Sequence, residues 1–139
     1  MKLYEAIQQG LASVTTMLIG AGLVEGKMLD PAQIKTETHV LFWEMIVPGG
    51  DASQKQLYVT YSIESANADD QYYLDGVSSG YEVIVAVDIF SRANDVATLV
   101  NAIETQVEEA DWEFLFGSKN YDATNKAYAY RFLVKGTVS

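Results

Sequence analysis

Apolar residues recur along this chain with two different periods, and each change of period marks an element. From Lys2 to Ile19 they fall at Leu3, Ile7, Leu11, Val14 and Leu18, steps of three and four that put them on one helical face. The spacing predicts a helix over 2–19, ended by Gly20 and Gly22, since glycine accepts the left-handed conformation of a C-terminal cap. Residues 23–36, with Gly26 and Asp30-Pro31, read as a connection with room for a short helical turn after Pro31. His39 to Val47 (HVLFWEMIV) is almost continuously apolar and stops at Pro48-Gly49-Gly50. Such a strand is covered on both faces of a sheet or buried in a subunit contact, and both explanations stay open.

Strict alternation follows. Leu57, Val59, Tyr61 and Ile63 face one way and Tyr58, Thr60, Ser62 and Glu64 the other, which predicts a half-buried strand. Residues 65–80 (SANADDQYYLDGVSSG) read as a long hairpin connection containing a short strand at 71–74. Tyr81, Val83, Val85, Val87 and Ile89 then alternate with Glu82, Ile84, Ala86, Asp88 and Phe90. Ser91 or Asn94 can cap a second helix, with Asp95 suited to its dipole. Val96, Leu99, Val100, Ile103 and Val107 give that helix a clean apolar stripe. A strand from Trp112 to Lys119, a turn over 120–125 and a last strand close the chain. In that strand Tyr128, Tyr130, Phe132 and Val134 alternate with Ala129, Arg131, Leu133 and Lys135.

The order is helix, three strands, helix, two strands. We therefore expect a single α+β domain over 1–139, with the N-terminal helix at 2–19 and the sheet and second helix within 37–136. About five strands form a mostly antiparallel sheet, mixed if the second helix crosses to a parallel neighbour, with both helices on one face. Every periodic apolar face is buried that way.

Composition changes the picture through charge. Nine Lys and Arg stand against 19 Asp and Glu, a net charge of −10, and residues 1–35 are neutral, so the whole excess lies in 36–139. That balance opposes a grip on nucleic-acid phosphates, which needs cations to displace counterions. It permits a surface that DNA slides past. With no cysteine, disulfides, thiolate nucleophiles and Cys-ligated metals are excluded, which suits a reducing cytoplasm. The longest apolar stretch, 11–24, is interrupted by Ser13, Thr15 and Thr16 and is too short to span a bilayer. A soluble cytosolic protein with no membrane partner is expected.

Catalytic signals are sparse. The single histidine, His39, sits at a strand start near Glu37 and Glu44, and a strand-end histidine explains it better than a catalytic pair. Asp69, Asp70 and Asp75 lack the spacing of a calcium loop. Glycine patterns for phosphate or nucleophile elbows are absent, so no catalytic residue, cofactor or metal is expected. Glu108, Glu109, Asp111 and Glu113 gather near the C-terminal end of the second helix, where its dipole disfavours them. A solvated face and an electronegative functional patch both explain that run. Lys119, Lys126, Arg131 and Lys135 are scattered, and cross-strand pairing with acids is their expected use. Tyr58, Tyr72, Tyr73 and Tyr121 fall on polar faces or loops, which suits protein contact or a core edge.

The stretches LYVTYS (57–62), DG (75–76), YEVIVAVDIFSR (81–92), ATLVNAIETQV (97–107) and NYD (120–122) before a Tyr-rich strand, preceded by an amphipathic helix, resemble small tail-completion proteins of tailed bacteriophages. These are the tail-terminator or head-to-tail joining proteins of siphophages and prophages. The resemblance covers chiefly 57–135 and rests on patterns, not on a catalytic signature. It implies a non-enzymatic homo-oligomer, a hexameric ring that caps the tail tube, meets the head connector and passes DNA through an electronegative bore. Its location would be the host cytoplasm during assembly and then the virion tail or neck. On that reading Phe42, Trp43, Asp51, Asp69, Asp70, Tyr72 and Tyr73 are interface candidates, and Glu108, Glu109, Asp111 and Glu113 line the bore. The chain departs from the pattern in its unusually apolar first strand and the PGGD loop after it. The alternatives are a small ligand- or peptide-binding module using the sheet face, and an enzyme headed by Asp69, Asp70 or His39.

Overall fold

The computed structural model describes residues 1–23, 42–43, 57–68, 73–74, 77–78, 80–91, 97–123 and 127–139; at 42–43, 57–58, 73–74, 77–78, 90–91, 116, 122 and 127 the description is of the backbone alone. The elements are α1 (Leu3–Gly20), β1 (Phe42–Trp43), β2 (Leu57–Ala68), β3 (Tyr73–Leu74), β4 (Val77–Ser78), β5 (Tyr81–Ser91), α2 (Ala97–Glu109), β6 (Glu113–Asp122) and β7 (Ala127–Val138). One five-stranded sheet has the order β1-β2-β5-β7-β6, and β3 pairs with β4 in a separate ribbon.

The fold class is the expected one. All neighbours in the large sheet are antiparallel except β1 and β2, which are parallel, so the sheet is mixed at one edge. β5 and β6 both run antiparallel to β7, so α2 carries the chain to a strand parallel to β5 with β7 lying between them. That is a split β-α-β unit.

Both helices cover one face. Val59, Val83, Val85, Val87, Ile89, Phe132 and Val134 form the sheet side of the core, against Ala6, Leu11, Val14, Leu18, Ile103 and Val107. Each fully buried aliphatic side chain contributes roughly 1.5–3 kcal/mol relative to exposure, so this layer dominates the fold's stability. Thr15 Oγ donates to the Leu11 carbonyl at 2.9 Å, leaving it to accept the Tyr61 hydroxyl proton at 2.5 Å. That bond ties α1 to β2.

Several boundaries differ from the sequence reading. α1 starts at Leu3, with Lys2 in extended conformation as its N-cap. Leu3, expected in the core, is 48% exposed, whereas Ala6, Gly10 and Met17 are buried. The first turn overhangs the core, and small residues fill the face where the backbone approaches β5. β2 continues to Ala68, so 65–68 is strand and not connection. Its pairing jumps from Ile63 opposite Val85 to Ser65 opposite Ile84, a bulge that extrudes Glu64 and inverts the alternation beyond it. Of the short strand expected at 71–74, residues 73–74 form β3, and 71–72 lie outside the described residues. β6 likewise runs past Lys119 to Asp122, with a bulge between Leu115 and Gly117, so 120–122 is strand and not turn. Ser91 is the last residue of β5 and pairs with Tyr128. Asn94, Asp95 and Val96 lie outside the described residues.

Candidate functional site

The two helices end in the same way. After α1, Leu23 N–H reaches Leu18 O at 3.1 Å and Gly22 N–H reaches Ile19 O at 3.0 Å, with Gly22 at φ 100°. After α2, Trp112 N–H reaches Val107 O at 3.0 Å and Asp111 N–H reaches Glu108 O at 3.1 Å, with Asp111 at φ 58°. Both are Schellman caps, but the second puts an aspartate where glycine is usual. Glu108, Glu109 and Asp111 are exposed around this cap, and Glu113 opens β6 two residues later. The four acids therefore sit at one corner of the molecule beside a helix C-terminus, whose unpaired carbonyls add negative potential. A shallow depression of about 460 Å³ lies at this corner, lined by Asp111, Trp112, Glu113, Lys135 and Gly136.

A second charged arrangement occupies the sheet face opposite the helices. Arg131 on β7 holds Glu64 at 3.1 Å and Asp88 at 3.9 Å, while Lys135 lies 3.7 Å from Glu82 and 3.8 Å from Glu113. Each cation thus bridges acids on two other strands of the sheet, and each trio keeps one net negative charge. The bulge explains the first trio, because it turns Glu64 out toward a cation two strands away. Partial burial pushes the Asp88 carboxyl above its ordinary value, Arg131 opposes that shift and Glu64 reinforces it. Register makes both trios, and the sequence signal for them is the placement of Arg131 and Lys135 on the polar side of the last strand. Their expected pairing with acids is observed.

The β6–β7 hairpin carries the exposed aromatics. Tyr121 and Tyr128 lie 5.0 Å apart, and the Lys119 ammonium sits 4.9 Å from the Tyr128 ring and 5.4 Å from Tyr130. Tyr121, expected in a turn, is on β6 and 57% exposed. Phe114 stacks on Phe132 at 4.7 Å, and with Val100, Gly117 and Tyr130 they line a small apolar groove of about 240 Å³.

The interface candidates divide. Phe42 and Trp43 form β1, paired to Val59 and Thr60 of β2, and Tyr73 belongs to β3 opposite Ser78. Asp51, Asp69, Asp70 and Tyr72 lie outside the described residues, as do His39, Asp75 and most of the 39–47 stretch. Among the described residues, no three His, Asp or Glu side chains come together as metal ligands, and no helix is long and apolar enough to cross a membrane.

These surfaces belong to a two-layer α+β domain whose sheet is closed on one side by two helices and charged on the other. No protein-family model and no curated protein matches the chain. Among solved structures it is similar to a chain from the virion of a native gene transfer agent (GTA) particle. The TM-score is 0.51 at 17% sequence identity, over 98% of this chain and 96% of that chain. At this identity the likeness is one of fold.

Proposed function

We propose that this chain is a structural protein of a tailed-phage-like particle and, within that class, a tail-completion protein. The observation that carries the reading is the near-complete overlap, 98% of this chain and 96% of the other, with a protein of a gene transfer agent virion. The resemblance of 57–135 to siphophage tail-completion proteins supports the finer assignment.

In this role the chain assembles as a hexameric ring on the finished tail tube, stops its growth and presents a surface to the head connector. The acids at the α2–β6 corner, Glu108, Glu109, Asp111 and Glu113, face the bore and keep DNA from adhering. Phe42, Trp43, Asp51, Asp69, Asp70, Tyr72 and Tyr73 contact neighbouring subunits or the tube. The work is done by shape and charge, with no catalytic step, in the host cytoplasm and then in the tail or neck of the particle. Electron microscopy of the purified protein, alone and mixed with tail tubes, tests this. Rings, or caps on tube ends, are expected, and a monomer that never caps a tube would sink the proposal.

A further inference from the structure

We draw no further inference here: the strongest candidate, the apolar groove of about 240 Å³ between α2 and the β6–β7 hairpin, lined by Val100, Phe114, Lys119, Tyr130 and Phe132, is an unpartnered surface, and nothing in the structure shows what covers it.

Discussion

Asp111 holds a left-handed conformation, φ 58°, in which the Cβ of an L-residue crowds the backbone. It does so beside Glu108 and Glu109, at the negative end of α2. Glycine removes both the steric cost and one of three clustered charges. Asp111→Gly should therefore raise stability by about 0.5–1.5 kcal/mol, read as a higher melting temperature in calorimetry. A lower one would mean that the aspartate side chain stabilises the cap. Asp88 provides the second residue-scale case. Its folded pKa lies above the ordinary value of 3.8, chiefly because burial disfavours the charged form. The sign follows: the stabilisation of the protonated carboxyl is complete below the unfolded pKa and is lost as pH rises through the folded one. At neutral pH the ionised group is thus a liability, and Arg131 retains Glu64 at 3.1 Å when it is neutralised. Asp88→Asn should unfold at higher denaturant than wild type at pH 7, and the gap should close as pH falls below about 4. A gap that instead widens in acid would refute this account.

Elements were legible where one period runs unbroken. The stripe Leu99, Val100, Ile103, Val107 specifies α2 almost by itself, and the alternation from Tyr81 to Ile89 specifies β5. Strand ends were not legible, because each bulge inverts the pattern midway. Beyond Glu64 the core-facing residue becomes Ala66, too small to register as apolar alternation, although pairing continues to Tyr81. The corner acids could be read directly from sequence. The two charge trios could not, since they join residues as far apart as Glu64 and Arg131 and depend on register. On the inward face of α1, Leu11, Val14 and Leu18 are buried as the spacing predicts, while Ala6 and Gly10 escape it for a related reason. Ala6 and Gly10 face the sheet because α1 sits close to it, and hydropathy does not report closeness. A Cβ added at Gly10 would lie 2.7 Å from Cγ1 of Val83, itself fully buried. Alanine improves helix propensity by about 1 kcal/mol, but overpacking a full core costs about 1–3 kcal/mol. Gly10→Ala should lose about 1 kcal/mol in urea unfolding, and a gain would show that α1 can rise off the sheet freely.

At the scale of the whole molecule, charge is partitioned by surface. α1 holds one charge, Glu5, offset by Lys2 before it; the helix-free sheet face balances each cation with two acids, and the α2–β6 corner concentrates acids near one partner cation, Lys135. Solubility alone would be served by any distribution of the same charges, so the partition is what a functional reading must explain. The proposed ring, lined by acidic corners, gives the α2–β6 acids a use. DNA passing such a corner is repelled at short range, and counterion release gives it no gain. Reversing the corner should therefore create adhesion without touching assembly. Glu108→Lys combined with Glu109→Lys places two exposed cations where two anions stood, away from the core contacts of Ile103 and Val107. The variant should form the same oligomer as wild type but retain double-stranded DNA in a gel-shift assay at about 50 mM salt. That retention should be released by about 300 mM, because phosphate contacts weaken steeply as salt rises. Reversal at Glu64 and Glu82, on the sheet face, provides the comparison. Equal retention there would mean that the corner has no privileged view of the DNA path.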